Sequence, residues 1–552
     1  MISINIAGKS FSFKKGTALK EVFQSALTDN CRIVAAIVDS CIKNLNHELD
    51  SSNEGSEISP LNRGEELGNR VYRRSLFMLL ARAVDELYPE GMLKIAHSLS
   101  NGVYCELIKN NSSFNQHDLK KIKIKMNELV DKDIPLEKKR LKVKDLKDIY
   151  RREALPIKVG LLERFDDDSE VSTYRLGDYY NYFYYPLVPS TGYLKKFELQ
   201  YCMPGFVVLF PQSQDSDEVP DFVDQPKLAN VFQEYERLGE ILDVGYVNDL
   251  NCRITNGRHD ELVRISEALH ERKIAAIADE IYDKIEKRKI ILIAGPSSSG
   301  KTTFTHRLAT QLKVDGLNPV TISTDDYFVD RENTPRDEEG NPDFEALEAI
   351  KLDLFNEHLR KLIQGEEIEL PEFNFNTGRR EKSGQTLKIR EEQPVLIEGI
   401  HGLNEELTPV IPQNQKFKIY VSALTQLNLD QHNRIPTSDT RLMRRIIRDY
   451  KYRGHDVERT LELWPNVRRG EERNIFPYQE NADVTFNSAL IYEPAVIKKY
   501  LLPLLKRVEE ESPHYHEVKR LQEILFYLEP MPDLAVPQIS ILREFIGGSA
   551  FR

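Results

Sequence analysis

Gly295-Pro-Ser-Ser-Ser-Gly300-Lys301-Thr302 decides how this chain is read. The octapeptide satisfies GxxxxGK[ST], follows the apolar run Ile290–Ala294, and precedes helical spacing over Thr303–Leu312. Gly295 and Gly300 permit backbone angles that turn consecutive N–H groups inward around a polyphosphate. Pro296, Ser297, Ser298 and Ser299 supply the backbone between them. The helix that opens at Thr303 adds its dipole and unpaired N–H groups. Lys301 sets a cation against β and γ phosphates, and the Thr302 hydroxyl suits Mg²⁺. The stretch therefore predicts a site for ATP with Mg²⁺.

Outward from this loop, apolar strands alternate with helical periodicity. Ile290–Ala294, Val320–Ser323, Val395–Ile397 and Phe417–Val421 predict four strands of a parallel α/β sheet. Ligands of such sheets sit at the carboxyl ends of strands. Asp325 and Asp326 follow one such end and Glu398 another. A carboxylate there suits Mg²⁺ or its water shell, and Asp325 suits a base toward an acceptor hydroxyl. Helix capping is the structural alternative for the two aspartates. Arg441, Arg444, Arg445 and Arg448 fall at i, i+3, i+4 and i+7, hence on one helical face. Such a stripe needs an anion or carboxylates to offset it. A solvated face supported by Asp439 and Asp449 is the alternative. Arg453, Arg468, Arg469 and Arg473 extend the basic stretch toward a lid.

The whole chain has 552 residues, enough for about three to five domains. Charged residues are 30% and the hydrophobic set 40%, a globular balance. No apolar run approaches the roughly 18 residues of a membrane span. The opening MISINIAGKS lacks the pattern of a secretory signal. Cys31, Cys41, Cys105, Cys202 and Cys252 are scattered singly, which argues against a zinc ribbon or disulfide scaffold. Net charge is −12, from 76 Lys+Arg against 88 Asp+Glu, so nothing attracts nucleic acid globally. A soluble, cytoplasmic, multi-domain protein without membrane partners is the expectation.

At the amino end, Ile2, Ile4 and Ile6, a turn at Gly8-Lys9, then Phe11 and Phe13 predict a hairpin. Thr17 is placed to cap a helix carrying Leu19, Val22, Phe23, Ala26 and Leu27, and Ile33–Val38 offers another strand. Residues 62–210 read as an α+β unit with a helix at Ser75–Leu87 and strands at Ile157–Leu162, Glu198–Tyr201 and Phe206–Phe210. Lys120–Arg152 reads as a solvated helical face. Gln212–Pro226 reads as a linker and about Asp260–Lys287 as a helix. The tail repeats Leu521, Ile524, Leu525 and Leu528 at helical spacing, which predicts docking on another domain or subunit.

In this order, GPSSSGKTT, STDDYF, PVLIEGIHGLN, DTRLMRRIIRDYKYRGHD and ENADVTFN resemble the uridine kinase and phosphoribulokinase family over roughly residues 288–490. The resemblance implies a P-loop α/β fold and transfer of the ATP γ-phosphoryl group to a small-molecule hydroxyl. It implies a catalytic role for Asp325, Mg²⁺ association for Thr302 and Glu398, and lid and substrate contacts for Arg441 and Arg444. Tyr327, Glu345, Phe373, Arg380 and Arg441 fall in its acceptor region. Glu345 stands where nucleoside kinases usually carry a ribose-binding aspartate, Phe373 where they tend to carry tyrosine, and Gly378 where a base-reading histidine is expected. Residues 1–210 resemble the TGS (β-grasp) and second additional domains of threonyl-tRNA synthetase, through RRSLFMLLARAVDELYP, NGVYCEL and VPSTGYLKKFELQ. Arg74, Met78, Phe183 and Leu187 fall at that domain's editing His, His, Cys and His, so editing chemistry is not expected. His97, a nearby imidazole, reads as a structural or solvated loop residue.

The fold expected is therefore an α/β P-loop kinase with a parallel sheet, preceded by a β-grasp domain and an α+β synthetase-editing-like domain. The expected units are 1–60 (β-grasp), 62–210 (editing-like), 211–287 (linker and helix), 288–505 (kinase) and 506–552 (tail). Three functions stay open. The first is a kinase for a nucleoside 5′-OH, uridine- or cytidine-like. The second is a kinase for another metabolite, such as a sugar phosphate or pantothenate-like acid. The third is an RNA- or ribosome-associated regulatory protein switched by nucleotide. Oligomeric state is open, a homo-oligomer included.

Overall fold

The computed structural model describes all residues except 28–31, 111, 213–216, 338–339, 375–376, 391–392 and 552, so Cys31 lies outside the described residues. A parallel sheet holds the carboxyl half. Its strands are β1 (Ile290–Ala294), β2 (Val320–Ser323), β3 (Val395–Glu398), β4 (Lys416–Ser422) and β5 (Val484–Asn487). They lie in the order β2-β3-β1-β4-β5, and every adjacent pair is parallel. Strands as apolar as IILIA need cover on both faces, which helices supply. One face packs against α1 (His259–Lys284) and α2 (Lys301–Val314), with Ile274, Ile281, Phe304 and Leu308 in the core. The other packs against Phe355, Leu359 and Leu362 of the helix Leu352–Ile363. The fifth strand was not among those expected. At four residues, two of them only half-buried, it carries too little periodicity to stand out.

Register fixes the site. Ile293 pairs with Glu398, and Ser323 also pairs with Glu398. The phosphate loop, Asp325 and Glu398 therefore share the carboxyl edge of the sheet, as the strand-end argument requires.

The amino-terminal hairpin pairs Ile2–Ile6 with Lys9–Phe13, Ile2 facing Phe13. Ile33–Val38 pairs with Cys41–Lys43 and Ile58–Asn62, and a parallel bridge from Asn5 to Glu57 joins the two sheets. The helix Leu19–Ala26 packs Leu19, Val22 and Phe23 inside, but Thr17 does not cap it: Ala18 stands at the N-cap without a side-chain bond. Next comes a four-stranded antiparallel sheet of Met92–Leu99, Gly102–Ile108, Gly205–Leu209 and Glu198–Cys202. The helix beside it runs Glu66–Leu87, longer than the expected Ser75–Leu87, because Gly68, Val71 and Tyr72 are buried as well.

Three expectations are corrected. Ile157–Leu162 lies in a helix, Pro156–Leu162, not a strand: Pro156 is suited to a first helical turn, and a short apolar run has no period to separate the two. The lysine-rich stretch is not one helical face. It contains helices Gln116–Asp131 and Val143–Arg152 around a strand, Leu136–Lys142, paired to Glu170–Leu176 along its whole length. Between the two sequence halves, helices Pro226–Ile241 and Val247–Thr255 precede α1 where a linker and one helix were expected.

The tail docks, on this same chain. Leu521, Ile524 and Leu525 of α5 (Tyr515–Phe526) and the following Leu528 are buried in a core shared with Leu442, Ile446 and Leu505. Each such side chain contributes about 1.5–3 kcal/mol by leaving water. Among the described residues no helix is long and apolar enough to cross a membrane.

Candidate active site

The loop has the left-handed backbone that its glycine predicts: Gly300 has φ +87°, and Ser298 beside it sits at φ +59°. A Cβ on Gly295 would collide with the Val421 carbonyl, so glycine is required by close approach there. Lys301 Nζ donates to the carbonyls of Gly295 (2.8 Å) and Pro296 (3.2 Å). Thr302 Oγ1 donates to Glu398 Oε1 at 2.9 Å. Hydroxyl, lysine and acid thus meet at the edge of the sheet.

Asp325 follows in a short 3₁₀ turn, Thr324–Tyr327, and its backbone N–H donates to Ser323 Oγ at 3.2 Å. Its carboxylate makes no hydrogen bond or ion pair among the described residues. Burial pushes the Glu398 carboxyl up to about 7, the charges of Asp325 and Glu544 add to the push, and Lys301 and Thr302 oppose it. A carboxyl pushed up by burial and by neighbouring carboxylates is a place where a divalent cation is favourable. Among the described residues no group of three or more His, Cys, Asp or Glu forms a complete metal cage.

The arginine stripe lies on α3 (Thr437–Tyr452); Arg441, Arg444 and Arg445 are buried and Arg448 half-buried, so it is not a solvated face. Carboxylates offset it: Arg441 pairs with Glu471, Arg444 with Glu493 through Nε and Nη2, and Arg445 and Arg448 with Asp449. Asp439 pairs elsewhere, with Arg520 of the tail. The stripe reaches the loop through its carbonyls. Arg441 Nε donates to Ser297 O at 2.9 Å, and Arg444 Nη1 lies 3.3 and 3.4 Å from Ser298 O and Ser299 O. Because a trans peptide points its C=O and N–H to opposite sides, carbonyls held by arginines turn the next N–H groups inward. Through these bonds Arg441 and Arg444 hold the cradle from behind. Of the lid arginines, Arg468 pairs with Glu471 and Glu472, and Arg469 with Asp337. Arg468 and Arg469 lie on α4 (Val457–Asn474), whose Gly470 leaves no room for a Cβ beside Glu345.

The acceptor-region residues divide. Among the described residues, Glu345 Oε2 is buried without a hydrogen-bond partner, and Arg380 Nη1 is in the same state. Phe373 stands opposite Arg380 in a hairpin and meets Phe328 edge-on at 5.6 Å. Tyr327 turns into the core, its hydroxyl 3.1 Å from His358 Nδ1. At Gly378, φ is +67° and a Cβ would stand 2.8–2.9 Å from the Arg331 side chain, so no histidine fits. Burial pushes the Asp326 carboxyl up to about 6, and the Phe373 N–H opposes that.

Glu345 yields a prediction. Burial, with Glu471 and Asp325 adding and Arg445 and Lys301 opposing, pushes its carboxyl from 4.5 up to about 7. Between those values the folded chain holds a proton that the unfolded chain has lost, so stability falls as pH rises across the interval. Glu345→Gln removes that contribution. In thermal scans its melting temperature should gain on the parent's from about pH 5 to about pH 8; parallel curves would refute this.

At the editing-like positions, Met78, Phe183 and Leu187 are packed in one core, and Arg74 stacks 4.2 Å from the Tyr184 ring centroid. His97 lies in a strand, not a loop, stacked 3.7 Å from Phe232, and burial holds it well below its ordinary pKa.

Residues 290–491 match the Phosphoribulokinase / Uridine kinase family. That region accounts for the sheet, the loop and the arginine helix together. A uridine kinase of Oceanobacillus iheyensis is 27% identical over 200 residues, 36% of this chain and 86% of that protein. A solved structure described as a possible uridine kinase of Bacillus stearothermophilus has 21% identity and a TM-score of 0.25, covering 38% of this chain and 100% of that one. The amino-terminal region matches a threonine–tRNA ligase of Clostridium kluyveri, 29% identical over 201 residues, 36% of this chain. The chain spans about a third of that ligase's length (31%). A region similar to the phosphoribulokinase and uridine kinase family thus follows one similar to threonine–tRNA ligase.

Proposed function

We propose that the chain is an ATP-dependent kinase acting on a small-molecule hydroxyl, a nucleoside 5′-OH before others. The observation that carries this is the convergence of the phosphate loop, Thr302–Glu398 and Asp325 on one sheet edge. The acceptor oxygen attacks the γ-phosphorus in line, the bond to the β–γ bridging oxygen breaks, and ADP leaves. The proton of the hydroxyl passes to the Asp325 carboxylate. Inward N–H groups and Lys301 hold the phosphates, and Thr302 and Glu398 would hold Mg²⁺, which neutralises charge on the transferring group. Glu345 and Arg380, each with a buried polar atom that has no partner among the described residues, support an acceptor that carries several hydroxyls, because a buried polar group is costly until a ligand satisfies it.

The test is ADP release from the purified chain with a nucleoside panel, Mg²⁺ and ATP. Uridine and cytidine should stimulate turnover at least tenfold over ATP alone; normal ATP binding without stimulation by any nucleoside refutes the nucleoside acceptor. Arg331 across Gly378 favours a second reading, another hydroxylated metabolite, since the expected base-reading imidazole has no place there. A metabolite panel scored by the mass gain of one phosphoryl group separates the two. The amino-terminal likeness supports RNA association as a further role, and the net charge of −12 weighs against it.

A further inference from the structure

Beyond the family match, the chain sends a carboxylate back to the phosphate loop. Glu544 Oε2 accepts from the Thr303 backbone N–H at 3.2 Å and from Thr303 Oγ1 at 2.8 Å. Thr303 is the third residue of α2, among the N–H groups that a helix leaves without internal partners. Anions are favoured there by the helix dipole and by those donors together. A phosphate held in the loop would draw on the same end of the same helix.

The segment carrying Glu544 is firmly seated. Ile541 and Phe545 are buried in the core with Phe304 and Phe486, and Leu542 and Ile546 in the core with Leu442. A Cβ on Gly300 would collide with Ile541 Cγ2, so the segment lies directly against the loop. Arg444, which holds the loop carbonyls, also stacks over the Phe545 ring at 5.0 Å. Phe551 stacks on His306 of α2 at 5.4 Å, and Arg543 Nη2 donates to the carbonyls of Asp533 (2.7 Å) and Val536 (2.8 Å). With its flanking residues fixed on both sides, the carboxylate sits on Thr303 by construction.

We propose that Glu544 is an affinity-determining residue of the nucleotide site, a built-in anion that occupies one phosphate donor position and that nucleotide must displace or tolerate. This rests on reading the loop as an ATP site. Two negative groups sharing one helix end repel, and the repulsion is larger in a half-buried site than in water. The chain therefore binds nucleotide more weakly than its loop alone would permit.

Calorimetric titration of the full chain with ATP, with Mg²⁺ and with EDTA, tests this. Glu544→Gln keeps the size and an oxygen for Thr303 but removes the charge. Its ATP dissociation constant should fall about tenfold under both conditions, while the melting temperature of the free protein stays level or drops. A merely structural role moves both in the unfavourable direction, so tighter binding without added stability is the signature. Should Glu544→Gln fail to fold, Glu544→Asp withdraws the carboxylate by one methylene and should give a smaller gain of the same sign. Unchanged or weaker ATP binding in the folded variant overturns the inference while leaving the ATP site intact. Weakening confined to the Mg²⁺ arm also overturns it and makes Glu544 a metal-associated group. No ATP binding by the parent, by Glu544→Gln or by Lys301→Ala overturns both this inference and the ATP site.

Discussion

Asp325→Asn should lower turnover by about 10² to 10⁴, the range that a positioned general base supplies, while changing ATP affinity less than about threefold. The backbone of Asp325 is fixed by Ser323 at the end of β2, and its side chain makes no hydrogen bond among the described residues. Asparagine has the same shape, so the 3₁₀ turn Thr324–Tyr327 should stand. What asparagine cannot do is accept the acceptor's proton. ADP release with the best acceptor from the panel gives the turnover, and calorimetry gives the ATP affinity. Lys301→Ala is the contrast, because its ammonium serves the phosphates and its loss should weaken nucleotide binding itself. Equal loss of turnover and ATP affinity in Asp325→Asn would move Asp325 from the acceptor to the nucleotide or its metal.

The reach of sequence reasoning in this chain follows the range of the forces involved. The octapeptide 295–302 and the apolar runs at β1 and β3 are local signals, because a strand buried on both faces must be apolar along its length. Register then carried Glu398 and Asp325 to the loop without further information. The strand Leu136–Lys142 was hidden because five of its seven residues are charged and its identity comes from pairing with Glu170–Leu176. The helices Pro226–Ile241 and Val247–Thr255 were hidden by an acidic, proline-containing approach that reads as a linker. Long-range partners are hidden in principle. Nothing near Arg441 or Arg444 in sequence names Glu471 or Glu493, which pair across 30 and 49 positions. A signal did exist: four arginines on one helical face cannot be buried without acids, so carboxylates on the helices that follow were candidates. Glu544 is the extreme case. It meets Thr303 across 241 positions, and no local pattern foretells that contact.

Arg444→Ala should cost about 3–5 kcal/mol of folding stability, the range for removing one partner of a buried ion pair. Arg444 and Glu493 are both essentially inaccessible to water. Without the guanidinium, Glu493 remains as a buried charge lacking its main partner, the Ser488 carbonyl loses a donor at 2.9 Å, the Ser298 carbonyl loses its donor, and the Ser299 carbonyl keeps only the Ser488 hydroxyl. Denaturant unfolding should show the loss, and ATP binding should weaken with it, since the inward N–H groups depend on those carbonyls being held outward. The double variant Arg444→Ala with Glu493→Gln separates the two contributions. Removing the stranded charge should recover part of the stability, but it restores nothing to the loop, so ATP affinity should stay low. A guanidinium acting on the transferring phosphoryl group instead would leave stability within about 0.5 kcal/mol of the parent, as for changes that break no buried network, and would lower turnover alone. That outcome would return Arg444 to the front of the cradle; a joint loss of stability and ATP affinity fixes it behind.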